Sequence, residues 1–261
     1  AAAFGGLFGV PVAGALFAIE AQRASRRHIG AFPLALGASF VANAIARLVG
    51  IDHERPYRVH DLPLAWPYLW RYLVAAACFG LVAVLFIRVE HTAKDLFARA
   101  ISLPPLRPVI GGVCVLGLVG AAGTREYLGI SSDLITVALT GAVGVAAIAF
   151  LWKLVFTAVS LGSGFVGGEM FPLFIMGALA GAQFARVTHA SIPLFAALGL
   201  IAVFAAASNT PLTCIVIGIE LFGWTGLPAY ALVCIVAVAL SGDHTIYKPS
   251  PLLKRHEAGQ R

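Results

Sequence analysis

Long runs of apolar residues separated by short connections constrain the fold of this chain more than any other feature. The runs fall at about 1–20, 31–50, 68–90, 106–123, 134–160, 172–187, 193–207, 211–223 and 226–241. Only 11% of the residues are charged, whereas soluble domains carry about 25%. The runs do not alternate polar and apolar residues as the strands of a membrane barrel do. The sequence therefore predicts an all-α, polytopic integral membrane protein.

The lengths of the runs predict two kinds of helix. A bilayer core about 30 Å thick needs a helix of about 20 residues, which the middle runs supply. The runs after residue 172 contain only 13 to 16 residues and are bounded by Gly or Pro. Short segments of this kind predict broken or re-entrant helices, which membranes tolerate only where the helices line a cavity.

Basic residues are concentrated in three connecting regions, which predict the orientation of the chain. These regions are the loop 21–30, the connection 88–107 and the tail 248–261. The positive-inside rule places all three, including the C-terminal tail, in the cytoplasm. The net charge of +6 does not indicate a nucleic-acid partner, because no basic run alternates with aromatic residues.

Two apolar stretches 200 residues apart repeat one pattern. LFGVPVAGALFAIE (7–20) aligns without gaps to ASNTPLTCIVIGIE (207–220), with a proline at each helix start and a glutamate, Glu20 or Glu220, at each end. Many transporters build a site at the bilayer midplane from internal repeats. Because each glutamate ends its helix, we interpret both as edge residues or structural hydrogen-bond partners rather than proton relays.

The repeat predicts how the chain is divided. Residues 1–50 would be the end of the first inverted repeat, 51–133 the connecting helices and loops, 134–247 the second repeat, and 248–261 the basic tail. The glycine-rich motif of the second repeat has no counterpart after Ala1, so we expect the chain to lack the front of its first repeat.

The stretch SLGSGFVGGEMFPLFIMGALAG (160–181) places several glycines directly before an apolar helix. Consecutive glycines free the backbone to turn, and Pro172 suits the first turn of a helix. The positive end of the helix Pro172–Arg186 and its unpaired N–H groups would form an anion site, with Lys153 adding positive potential. The alternative is that the glycines allow close packing of helices.

Glu169 stands inside this motif. A carboxylate within an anion-binding loop is unfavourable unless it is protonated, moves or carries protons. We therefore interpret Glu169 as a gating or proton-coupling residue. The alternative is a surface glutamate in a loop.

Four stretches, in order along the chain, resemble motifs of the CLC family of chloride channels and proton-coupled halide transporters. LGSGFVGGEMFPLFIMGALAG resembles the third anion-binding motif, G-x-F-x-P. FGVPVAGALFAIE resembles the helix after the acidic gate motif, and NTPLTCIVIGIELFG resembles the corresponding helix of the second repeat. SGDHTIYKP resembles the start of the C-terminal helix, which carries the pore tyrosine.

The resemblance implies a halide transporter with inverted repeats, functioning as a homodimer in a prokaryotic inner membrane, without a cofactor or metal and without enzymatic activity. It implies that backbone amides in the region of Gly168, Glu169, Met170 and Phe171 hold the anion. It also implies that the Tyr247 hydroxyl contacts the anion, whereas without the resemblance Tyr247 is typical of an interfacial anchor.

Two departures from the chloride pattern bear on the transported ion. Glu169 and Met170 replace two apolar residues, which resembles the fluoride-exporting branch of the family. Ala21 follows Glu20 where chloride/proton antiporters carry a second glutamate, which fits that branch and fits a channel equally. Chloride or fluoride, and channel or antiporter, remain alternatives at this point.

The first and second family motifs would precede Ala1, so a truncated remnant without transport activity is a further alternative. An intramembrane serine protease using Ser163 and His244 is a third. His53, Glu54 and His60 match no zinc signature and indicate a solvated loop. The four cysteines, each alone in an apolar run, are predicted to be small core residues.

Overall fold

The computed structural model describes residues 1–21, 30–51, 59, 68–141, 148–242 and 244–247. Three predictions lie outside the described residues: most of the basic loop 21–30, the possible metal ligands His53, Glu54 and His60, and the tail 248–261. The described residues form α-helices and short 3₁₀ turns such as Trp224–Gly226, which confirms the predicted all-α class. The helices are α1 (Ala2–Phe8), α2 (Pro11–Glu20), α3 (Phe32–Leu48), α4 (Leu69–Ala100), α5 (Leu106–Ala122), α6 (Ser132–Thr140), α7 (Ala149–Gly162), α8 (Met170–Thr188), α9 (Ile192–Ser208), α10 (Pro211–Phe222) and α11 (Leu227–Ser241).

Within the described residues, three segments are long and apolar enough to cross a membrane: Leu69–Ala100, Met170–Thr188 and Trp224–Ser241. The prediction that every segment after residue 172 is too short was wrong for the last two. α8 has 19 residues because it begins at Met170, before the proline. Proline lacks only an N–H that the first turn leaves unpaired anyway, so it fits inside that turn.

Two predicted runs are broken in the structure. The run 1–20 divides where Gly9 adopts a left-handed conformation (φ 66°) and Pro11 begins α2. The run 134–160 divides after α6, where Gly141 is again left-handed (φ 71°). Glycine ends a helix in this conformation without the steric penalty that a Cβ would add. The helices after residue 172 that are short, as predicted, are α9 and α10. The breaks at Gly9 and Gly141 lie before the region in which the sequence predicts broken helices.

The core of the described structure is the pair α8 and α9. Every residue of α9 from Leu194 to Ser208 is buried. The two helices approach so closely that a Cβ on Gly177 would overlap the carbonyl of Gly199, and a Cβ on Gly181 would overlap that of Phe195. Close packing through small residues, the structural alternative for the glycine-rich stretch, therefore applies to the glycines within α8.

Candidate functional site

The N-terminus of α8 is built from the glycine motif. α7 ends at Gly162, and Gly164 turns the chain in a conformation with φ 99°. Glu169 is the N-cap of α8, and Met170 is its first residue. The five backbone N–H groups from Gly167 to Phe171 donate to no acceptor in the described part of the chain. The predicted residues Gly168, Glu169, Met170 and Phe171 thus form one group of unpaired donors at the positive end of a 19-residue helix.

The loop before α8 is open to its surroundings. Residues 164–168 are exposed, and Val166 is fully so. Glu169 is more protected, with 23% of its side chain accessible. An ion can therefore reach the N–H groups, while the carboxylate beside them is partly withdrawn from water.

Glu169 contacts a charged cluster on α4 that the sequence did not reveal. The Lys94 ammonium lies 3.6 Å from the Glu169 carboxylate and also pairs with Glu90, one helical turn earlier in α4. Glu90 is buried, and the ring nitrogen Nε2 of His91 lies 3.8 Å from its carboxylate. One ammonium thus bridges two carboxylates. Lys94 falls within the predicted connection 88–107, but α4 continues to Ala100.

The pKa of the Glu169 carboxyl, which lies outside the membrane-spanning helices, is raised above its ordinary value. Burial is the main cause, and the negative charge of Glu90 adds to it. Lys94 and His91 act in the opposite direction. The protonated form of Glu169 is therefore more accessible than that of a solvated glutamate.

A chain of aromatic contacts joins the start of α8 to Tyr247. The ring centroids are 4.7 to 5.8 Å apart along Phe171, Phe8, Phe174, Phe204, Phe17 and Tyr247. Burial, together with the nearby charge of Glu169, raises the pKa of Tyr247 to about 12. Its hydroxyl is therefore a neutral donor at physiological pH. The backbone N–H of Ile246 donates to Ala207 at 2.9 Å, which holds this segment against the end of α9.

The two copies of the sequence repeat cap each other. The Glu220 carboxylate accepts hydrogen bonds from the backbone N–H groups of Val12 (3.1 Å) and Ala13 (2.9 Å). The Glu20 carboxylate accepts them from Leu212 (2.9 Å) and Thr213 (2.7 Å). α2 and α10 are therefore antiparallel, and each C-terminal glutamate satisfies the first turn of the other helix. The structural interpretation of Glu20 and Glu220 is confirmed.

The sequence profile of the family described as "Voltage gated chloride channel" matches residues 1–242. This chain belongs to that family, the CLC family. The glycine motif, the paired helices and Tyr247 therefore lie in the order and fold that the resemblance implied.

The CLC relatives include channels and exchange transporters. A "Chloride/fluoride channel protein" of Pseudomonas syringae pv. tomato is 35% identical over 251 residues, covering 94% of this chain and 55% of the relative. An "H(+)/Cl(-) exchange transporter ClcA" of Vibrio vulnificus is 27% identical over 272 residues, covering 97% and 58%. The chain therefore spans about half the length of the curated relatives that it matches.

Two solved antiporter structures share the fold. A CLC-type fluoride/proton antiporter superposes with a TM-score of 0.88 at 32% identity, covering 94% of this chain and 62% of that one. A slow cyanobacterial Cl−/H+ antiporter superposes with a TM-score of 0.75 at 22% identity, covering 97% and 62%. The second likeness concerns the fold alone.

Lys153 was expected to add positive potential to the anion site, but it lies in a different environment. Its buried ammonium donates to the carbonyls of Tyr127 (3.1 Å) and Gly129 (2.8 Å) and to the Ser131 hydroxyl (2.9 Å). These acceptors use all three of its protons. Lys153 also lies about 14 Å along α7 from the end that faces the glycine motif. Lys153 therefore stabilises the loop before α6. The cation that lies beside Glu169 is Lys94.

The described residues do not have the geometry that a serine protease needs. Ser163 is buried and its hydroxyl donates to the Ser160 carbonyl at 2.9 Å. The ring nitrogen Nδ1 of His244 lies 2.9 Å from the Ser241 carbonyl. Within the described residues, the serine and the histidine therefore bond to different groups and not to each other, so the activated pair is not formed.

Potential metal ligands are dispersed in the part of the chain that the structure describes. No group of three His, Cys, Asp or Glu side chains there is arranged to hold a metal ion. Cys214 and Cys234 are buried as predicted, whereas Cys78 and Cys114 are exposed. The prediction of four core cysteines was wrong for these two, because they lie on helix faces that no other described helix covers.

Proposed function

We propose that this chain is the ion-binding part of a CLC-type halide transporter, and that it binds the anion at the N-terminus of α8. The observation that carries the proposal is the run of five unpaired N–H groups from Gly167 to Phe171. They combine with the helix dipole to replace part of the hydration shell of a small anion. No fixed cation is needed in direct contact with the ion, which allows the ion to leave again.

We further propose that fluoride is the preferred halide. Fluoride is the smallest halide and the strongest hydrogen-bond acceptor, so it gains most from closely spaced donors. A protonated Glu169 would add an O–H donor beside the N–H groups, and its raised pKa favours that form. The names of two relatives at 35% and 32% identity also include fluoride.

We propose that the Glu169 carboxyl also couples halide binding to proton binding. Glu169 can take up a proton because it is partly buried and lies near a second carboxylate, Glu90. When Glu169 loses its proton, Lys94 is close enough to neutralise it. The alternation between a neutral donor and a paired carboxylate would link halide binding to proton binding. Tyr247 would narrow the other side of the site with its neutral hydroxyl.

The assembly and the membrane are also proposals. We propose that the protein is a homodimer in a bacterial inner membrane, with its basic tail in the cytoplasm, as the family resemblance implies. We keep the division into 1–50, 51–133, 134–247 and 248–261, which the mutual capping of α2 and α10 supports. We favour a transporter over an inactive remnant, because the chain contains unpaired N–H donors beside a partly buried glutamate.

Fluoride binding to the purified chain tests the proposal. We expect ¹⁹F NMR titration in detergent to show saturable fluoride binding that chloride displaces only weakly. Tyr247→Phe should weaken it, because the hydroxyl donor is lost. The control is Tyr127→Phe, which removes a different tyrosine hydroxyl. The backbone carbonyl of Tyr127, which accepts a hydrogen bond from Lys153, is unchanged in this variant. Equal binding of fluoride and chloride would overturn the fluoride preference, and no saturable binding of either ion would overturn the site.

A further inference from the structure

A polar cavity lies away from the α8 N-terminus, where α8 ends and α9 begins. It has a volume of about 250 Å³. The start of α4 forms one wall, and the connection between α8 and α9 forms the other. The residues used below are Tyr68, Arg71, His189 and Ser191, all of which line it. Among the described residues, those that line the cavity include an arginine and a histidine but no aspartate or glutamate.

Arg71 supplies unused hydrogen-bond donors. Its guanidinium carbon lies 5.1 Å from the ring centroid of Tyr68 and 5.7 Å from that of Trp70. These cation–π contacts fix the plane of the group without using its N–H donors. Its Nε is buried and has no hydrogen-bond partner within the described residues. A buried donor without an acceptor is unfavourable, so this position suits a ligand that accepts hydrogen bonds.

Ser191 adds a second set of donors. It holds the N-cap position of α9, but its hydroxyl does not cap the helix. Ser191 and His189 are both exposed. The hydroxyl and the imidazole are therefore accessible beside the guanidinium, and the backbone N–H of Ile192 donates to no acceptor among the described residues. Several donors without a carboxylate select an anion with several acceptor oxygens, and a planar guanidinium matches phosphate in particular.

The position of the cavity indicates the source of the phosphate. Tyr68 and Trp70 stand at the start of the membrane-spanning helix α4 and are 41% and 51% exposed. Tyrosine and tryptophan at such ends lie at the level of the lipid headgroups. One turn further along α4, Leu73 and Val74 are exposed as well and offer an apolar surface to an acyl chain. The volume is below the roughly 300 Å³ of the smallest ordinary ligand pockets and suits one headgroup phosphate.

We propose that this cavity binds the phosphate of an anionic phospholipid headgroup, with Arg71 as the principal ligand and Ser191 as the second. The headgroup enters between α4 and the α8–α9 connection, while its acyl chains stay in the bilayer along α4. Free inorganic phosphate offers the same oxygens but lacks the acyl chains. The site is independent of halide binding, since it uses the opposite end of α8.

Native mass spectrometry of the full chain in a neutral detergent tests this site. Phosphatidylglycerol, phosphatidylcholine and inorganic phosphate are titrated separately. We expect tight binding of one phosphatidylglycerol, weaker binding of phosphatidylcholine, and competition by inorganic phosphate only at much higher concentration. Arg71→Gln should weaken phosphatidylglycerol binding at least about tenfold. The matched control is Arg125→Gln, which removes an exposed arginine from the loop after α5.

Ser191→Ala serves as a second test that does not depend on the folding of the arginine variant. It should weaken binding severalfold while leaving the helical content measured by circular dichroism unchanged. Equal affinities for Arg71→Gln, Arg125→Gln and the wild type would overturn the site. If inorganic phosphate binds in an Arg71-dependent manner and the two lipids bind equally, the lipid as source is overturned.

Discussion

The carboxylate of Glu20 accepts two hydrogen bonds from Thr213, one from its backbone N–H and one from its hydroxyl, each 2.7 Å long. Glu220 forms the corresponding pair of backbone bonds at the other end of the two helices. The contact joins residues almost 200 positions apart in sequence. It fixes the antiparallel pairing of the two repeat helices at both ends.

Removing either capping charge should destabilise the helix pair. We expect Glu20→Gln and Glu220→Gln each to lower the free energy of unfolding by about 1 kcal/mol, the usual worth of an N-terminal cap. The two sites are separated by the length of a ten-residue helix, about 15 Å, so the double variant should lose the sum. Thermal unfolding in detergent measures this, with the exposed Glu126→Gln as control. A double variant no less stable than the control would show that the caps do not stabilise the pair.

The cluster on α4 should tune the protonation of Glu169 in two opposite directions. Lys94→Met removes the nearby cation, which should move the pKa of Glu169 upward. Glu90→Gln removes the nearby negative charge, which should move it downward. The infrared band of the protonated carboxyl, assigned by its loss in Glu169→Gln, reports the titration directly.

Lys94→Arg keeps the charge and serves as the control for the cluster. It should leave the midpoint of the titration close to that of the wild type. If Lys94 has a purely structural role, the midpoint of the Glu169 titration will be unchanged in Lys94→Met and in Glu90→Gln, or will move in the same direction in both. Either of those results would refute the electrostatic coupling.

The contact between α8 and α9 should tolerate no side chain at its closest point. A Cβ on Gly177 overlaps the backbone of α9, so Gly177→Ala should force the helices apart and destabilise the protein by about 1–3 kcal/mol or more. Gly117 in α5 has open space at the same position, and alanine there should leave stability unchanged or raise it by up to about 1 kcal/mol. Unfolding in detergent compares the two, and equal stabilities would mean that α8 and α9 do not pack as described.

Patterns within single segments allowed much of the fold to be predicted from sequence. The apolar runs indicated the membrane class, and the aligned Pro11 and Pro211, followed by Glu20 and Glu220, indicated the repeat. The breaks at Gly9 and Gly141 were missed, because one glycine in an apolar run looks the same whether it ends a helix or packs inside one.

The surroundings of the site depended on contacts between distant segments. Glu169 and the N–H groups beside it were predicted correctly as neighbours, because they are adjacent in sequence. Lys94 fell within the predicted connection 88–107, since a charged residue after a long apolar run is typical of a helix end. Lys153 was close to the motif in sequence, but its helix carries it to the opposite end. A sequence signal for Glu90 and Lys94 did exist in their i,i+4 spacing.

We propose that a halide binds at the start of α8 under the control of Glu169. The most direct test is fluoride flux from liposomes containing the full-length protein, measured with a fluoride electrode across pH 5 to 8. We predict that Glu169→Gln will lower the flux and abolish its dependence on pH, while Glu126→Gln behaves as the wild type does. Fluoride flux in Glu169→Gln equal to that of the wild type at every pH would contradict the account.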